Sequence, residues 1–175
     1  MIIIVMGVTG TGKTTIGKLL AEALVWDFRD ADFFHSQANI EKMQSNIALE
    51  DEDRLPWLMS MQQAIDGWLQ ENKNIVLACS ALKATYRQIL CRDPKRMPIV
   101  YLHGSFELIT ERLSKRENHF MNKDLLKSQF DALEEPNPDE SIWVDISQPP
   151  EAIVQELTLP RLEIGGFYRN ESDIS

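Results

Sequence analysis

Basic residues are in short supply. Eighteen Lys and Arg stand against 27 Asp and Glu, leaving a net charge of -9. That balance argues against nonspecific nucleic-acid binding, which relies on a basic surface, and no nucleic-acid partner is expected. Any anionic ligand has to be held by a local cluster of positive groups. Cysteine is scarcer still: Cys79 and Cys91 are the only two. They form neither a disulfide framework nor a zinc pattern and both sit in apolar segments, so reduced, structural thiols in a cytosolic protein are expected. Long hydrophobic runs are missing too. The apolar stretch 1–8 is too short to span a bilayer, and no basic region precedes it as a signal peptide requires. A buried central strand is expected there, with no membrane partner and a cytoplasmic location. Internal repeats and low-complexity segments are also absent.

What remains is an ordinary globular composition, 43% hydrophobic and 26% charged over 175 residues, sized for one domain with a real core. Short, largely apolar runs at 2–6, 75–79, 99–103 and 142–146 read as strands, and 26–29 is a plausible second strand in the series. Between them lie helical patterns at 13–24, 51–71, 82–91, 106–115 and 151–157. This alternation predicts an α/β fold, a five-stranded parallel sheet with helices on both faces. Ser105 and Ser147 are placed as helix N-caps, and Pro149 and Pro150 suit a first helical turn. The long pattern at 51–71 turns Leu58, Met61, Ile65 and Leu69 inward. An additional piece, 116–135, separates the last two strands; it is charged at first and helical from Asp124. The domain is expected to end near 160. The tail 161–175 has no hydrophobic period, and at least its last residues are expected to be disordered.

Residues 7–14, Gly-Val-Thr-Gly-Thr-Gly-Lys-Thr, fit G-x-x-x-x-G-K-[ST] between a strand and a helix, where a phosphate-binding loop belongs. Gly7, Gly10 and Gly12 let the backbone curl, so that the amides of Thr9, Thr11 and their neighbours through Thr15 point at phosphate oxygens beside a helix N-terminus. Lys13 reaches the β- and γ-phosphates, and the Thr14 hydroxyl is placed for Mg²⁺. ATP and Mg²⁺ are the expected cofactors. A switch GTPase would need N-K-x-D, and Asn122-Lys123-Asp124 lacks the intervening residue. A motor-type ATPase would show a strand ending in an acid, whereas the third strand ends Ala78-Cys79-Ser80. Small-molecule kinases remain.

Asp30 and Asp32 follow the second strand, at the carboxyl edge where open α/β sheets bind ligands. Two carboxylates at that spacing divide the work: Asp30 leans to the Mg²⁺ water shell, while Asp32 orients a substrate hydroxyl and takes its proton. His35 and Ser80 are candidate hydroxyl contacts. Arg54, Lys83 and Arg87 are candidate cations for a substrate carboxylate. Trp57, Met43 and His103 read as packing residues. Arg112 and Arg116, four apart at the end of a helix, are candidate arginines for the γ-phosphate, with His119 beside them.

Several blocks resemble gluconate kinases. They are Asp30-Ala31-Asp32-Phe33-Phe34-His35, Asn39-Ile40-Glu41-Lys42-Met43, Leu49 through Leu58, Cys79-Ser80-Ala81-Leu82-Lys83 with Tyr86-Arg87, and His119-Phe120-Met121. Ser128-Gln129-Phe130, Leu133-Glu134-Glu135-Pro136 and Val144-Asp145-Ile146 complete the series. The likeness spans about 2–158. It implies the P-loop kinase fold with a small helical lid at about 116–135, ATP-dependent phosphorylation of D-gluconate at its 6-hydroxyl, and a homodimer. The chain departs from the pattern at Ala31, Ser36, Asn46 and Asn118, and none of these removes a catalytic group. The alternatives are a kinase for another hydroxy acid or polyol such as shikimate, and a nonenzymatic nucleotide-binding regulator. The regulator would have lost Lys13, Asp32 or the lid arginines, which are all present.

Overall fold

Ile2–Met6 is an unbroken run of apolar, mostly β-branched residues, and it forms β1 with every residue buried. Such a run suits a strand covered on both faces. The computed structural model describes residues 1–45, 47–115 and 123–158. Arg116, His119 and the tail 161–175 lie outside the described residues, as do the departures at Asn46 and Asn118.

The remaining strands are β2 (Asp27–Asp30), β3 (Ile75–Ala78), β4 (Ile99–His103) and β5 (Ser141–Asp145). They make one parallel sheet in the order β2-β3-β1-β4-β5. From β1 the chain goes to the edge strand β2, returns to β3 beside β1, and then crosses to β4 and β5 on the other side. The order therefore reverses beside β1, which leaves a crevice at its carboxyl end.

Alternation along β1 divides the core in two. Ile3 and Val5 join Ile16 and Leu20 of α1 (Lys13–Leu24) and Ile153 and Leu157 of α7 (Pro150–Thr158). Ile2, Ile4 and Met6 face the other way, onto Trp57, Leu58, Met61 and Ile65 of α3 (Asp51–Gln70) and Leu90 of α4 (Ala84–Leu90). Each fully buried aliphatic side chain here contributes about 1.5–3 kcal/mol. Helices thus cover both faces, as expected. α5 (Phe106–Ser114) follows β4, and α6 (Lys123–Ala132) precedes β5.

Three local features differ from the sequence expectations. A 3₁₀ turn (Ala31–Phe34) and α2 (Gln37–Gln44) fill a stretch with no recognisable period. Their polar residues take the fold from caps instead: the Asp30 carboxylate accepts from the Asp32 amide, and Ser36 Oγ accepts from the Asn39 amide at 3.2 Å. Ser105 caps α5, accepting from Leu108 at 3.1 Å. Ser147 does not cap α7. Its amide donates to the Asp145 carboxylate at 2.8 Å, and the helix begins three residues later at Pro150. Cys79 and Cys91 are both free thiols.

Candidate active site

The loop after β1 needs two left-handed turns, and glycine supplies both: φ is +80° at Gly10 and +95° at Gly12. Space forbids a side chain at Gly10 as well, because a Cβ would stand 2.9 Å from Ile109 and Leu113 of α5. Thr11 closes the loop from inside. It is buried, and its hydroxyl and amide both donate to the Val8 carbonyl, at 2.9 and 3.4 Å. Thr11 and Gly7 lie under the loop, whereas Thr9, Gly10, Gly12, Lys13, Thr14 and Thr15 line a cavity of about 550 Å³. Lys13 Nζ donates to the same Val8 carbonyl at 3.0 Å, folding over the loop.

The end of β2 and the 3₁₀ turn after it deliver Asp30 and Asp32 to the same cavity. Thr14 Oγ1 donates to Asp30 Oδ2 at 2.9 Å, and the Asp32 amide donates to Asp30 Oδ1 at 3.1 Å. Asp30 is thus tied to both the loop and the turn. Burial raises the Asp32 pKa above the ordinary carboxylate value; the Asp30 charge adds to the rise and Lys13 opposes it.

The far wall is built on Trp57. Its indole N–H donates to the Ala31 carbonyl at 2.8 Å, and its face stacks on the His35 ring, 4.5 Å between centroids and 5° from parallel. Burial, with the Arg54 charge behind it, lowers the His35 pKa to about 4, so the ring is neutral at physiological pH. Arg54 lines the cavity, its Nε donating to the Leu49 carbonyl at 3.3 Å and its guanidinium 5.8 Å from the Tyr86 ring centroid. Ser80, in the turn after β3, completes this side.

Lys83 and Arg87, the other candidate cations, are absent from this wall. Lys83 is paired with Asp51 at 2.6 Å, and Tyr86 donates to the same carboxylate. Arg87 donates to the carbonyls of Ala81 and Leu82, at 3.0 and 3.1 Å. Ala81 has φ +43°, a conformation that L residues rarely hold unaided. Both cations brace the turn that carries Ser80. Arg112 donates to the Ile146 carbonyl, joining α5 to the segment after β5, and does not line the cavity.

Gln129 had no assigned role. From α6 its Oε1 accepts the Thr9 amide at 2.7 Å, across 120 residues, so the helix within the proposed lid segment docks on the phosphate loop. The only trace in the sequence is the block Ser128-Gln129-Phe130. Leu125 and Ser128 line the cavity beside it.

A family model described as shikimate kinase matches residues 9–159. The gluconokinase of Arabidopsis thaliana is 44% identical over 169 residues, which cover 89% of each chain. The chain belongs to the gluconokinase family. A gluconokinase structure from Sinorhizobium meliloti 1021 superposes with a TM-score of 0.84 at 37% identity, covering 94% of this chain and 93% of that one. By contrast, the shikimate kinase of Aquifex aeolicus vf5 reaches a TM-score of 0.59 at 21% identity, over 95% and 98% of the two chains, and shares the fold alone. The gluconokinase family therefore has the P-loop kinase fold here, and the chain is an enzyme, a kinase. Among the described residues no helix is long and apolar enough to cross a membrane.

Proposed function

We propose that this gluconokinase-family chain transfers the γ-phosphoryl group of ATP to the 6-hydroxyl of D-gluconate, giving 6-phospho-D-gluconate and ADP. One observation carries the reading. A single cavity joins a phosphate loop, two carboxylates and a wall with one arginine and one neutral histidine. A polyhydroxy acid matches that wall, with Arg54 for its carboxylate and His35, Ser80 and Asp32 for its hydroxyls.

The residues present fit the cofactors. The curled loop and the α1 N-terminus suit a polyphosphate. Among the described residues no group of three or more His, Cys, Asp or Glu gathers to hold a metal. That suits Mg²⁺, which takes one or two protein oxygens and completes its shell from phosphates and water. Thr14 and Asp30 would supply those oxygens. Bound Mg²⁺ neutralises charge building on the phosphates.

Asp32 holds the 6-hydroxyl and accepts its proton as the oxygen attacks. Lys13 leaves the Val8 carbonyl and meets the charge on the transferring group. Residues 116–135 act as a lid that excludes water, bringing Arg116 and His119 over the site while Arg112 anchors the hinge end. Lys83 and Arg87 serve the substrate side by holding the Ser80 turn. The single domain spans 1–160, and the enzyme works as a cytoplasmic homodimer without nucleic-acid or membrane partners.

Arg54→Met tests the substrate side. A charge-assisted bond contributes about 1.5–3 kcal/mol, so the KM for gluconate should rise about ten- to a hundredfold. The KM for ATP should stay nearly unchanged. A rise confined to ATP would move Arg54 to the phosphate side.

A further inference from the structure

Asn39 of α2 lies behind His35, is 5% exposed and does not line the cavity. Its Nδ2 is 2.8 Å from the Asp53 carbonyl oxygen. A carbonyl only accepts, so the atom facing it must be the NH₂ of the amide, and the orientation of Asn39 is settled. The same NH₂ lies 3.5 Å from His35 Nδ1. An NH₂ group cannot accept. A proton on Nδ1 would set N–H against N–H, so Nδ1 must present its lone pair.

Everything around the ring agrees. The stack on Trp57 fixes the ring plane, and Trp57 is itself tied to Ala31. The Ser36 cap holds the backbone of Asn39. The Asp53 carboxylate faces Lys42 at 2.6 Å and the Glu50 amide at 3.0 Å, which anchors the carbonyl that orients Asn39. Arg54, on α3, is the charged group whose field reaches the ring, and it disfavours imidazolium. With Nδ1 engaged, Nε2–H is the one polar ring atom left for a ligand.

We propose that Asn39 is a positioning residue that locks His35 as the Nε2–H tautomer, making the ring a neutral donor to an acceptor oxygen of the substrate. This deepens the reading of the Arg54 and Trp57 wall as the hydroxy-acid site and rests on it. The histidine then recognises a carboxylate or hydroxyl oxygen and refuses an ammonium group.

Ring-nitrogen NMR on the full ligand-free chain at pH 7 tests the tautomer without any substrate. The chain has three histidines, and His35→Asn identifies the signal by its loss. Nε2 should carry the proton while Nδ1 is unprotonated and accepts a hydrogen bond. A proton on Nδ1, or on both nitrogens, overturns the proposal. In Asn39→Asp the new carboxylate accepts from Nδ1–H and moves the proton. The gluconate KM should then rise about tenfold, with kcat and the ATP KM within about twofold. A moved proton with an unchanged gluconate KM also overturns it. If the wild-type chain shows the expected ring pattern yet does not turn over gluconate, the substrate reading has failed while the tautomer stands.

Discussion

Lys13→Ala should lower kcat by about 10²–10³-fold and leave the fold intact. In the structure Lys13 Nζ rests on the Val8 carbonyl, and Lys13 itself belongs to neither half of the core. Its truncation takes no side chain out of either half of the core. What is lost appears only during transfer, when charge on the phosphoryl oxygens needs a cation in a water-poor site. Each factor of ten is about 1.4 kcal/mol of barrier, so the expected loss is about 3–4 kcal/mol. Steady-state kinetics with saturating ATP, beside a thermal unfolding curve within a few degrees of wild type, checks both halves. A loss below about tenfold would contradict the role given to Lys13. Thr14→Ala should behave similarly, because the hydroxyl that meets Asp30 at 2.9 Å is the proposed metal oxygen.

Asp32→Asn should lower kcat by about 10² or more while gluconate still binds. The amide keeps the size and one acceptor but loses the charge and the ability to take a proton. Asp30→Asn should act differently, raising the Mg²⁺ concentration needed for half activity, because Asp30 is the carboxylate joined to Thr14. Exchanged effects would mean exchanged roles. The pH profile carries a sign of its own. Burial and the neighbouring Asp30 raise the Asp32 pKa, and only the ionised form takes the proton. kcat/KM should therefore be full above that pKa and fall as pH drops through it, with an acid limb centred above the ordinary aspartate value of about 3.9. An acid limb at or below the ordinary value would argue against Asp32 as the base.

Much of this architecture is legible in the chain because parallel strands buried on both faces leave continuous apolar runs, and glycine punctuates the phosphate loop. Ile2–Met6 and the residues that follow carry that signal without help from the rest of the protein. The Ala31–Phe34 turn and α2 do not, being short and polar and held by side-chain caps rather than by an apolar stripe. The cations show a different limit. A spacing of four puts Lys83 and Arg87 on one helical face but says nothing of which way that face looks; an acid 32 residues away, Asp51, claims the first and a strained turn claims the second. Arg54 reaches the cavity because α3 starts beside it. Gln129 and Asn39 act through contacts with a loop 120 residues away and with a carbonyl on the next helix, and no local pattern records either.

The most direct measurement is ADP release, coupled to a spectroscopic readout, from the purified full chain with ATP and Mg²⁺ across a panel of acceptors. The panel should hold D-gluconate, other sugar acids, shikimate and nucleoside monophosphates, with the phosphorylated position of the product read by ³¹P NMR. The account predicts that gluconate gives the highest kcat/KM and that the phosphate sits on its 6-hydroxyl. Preference for shikimate or a nucleoside monophosphate, or phosphate at another hydroxyl of gluconate, would contradict it.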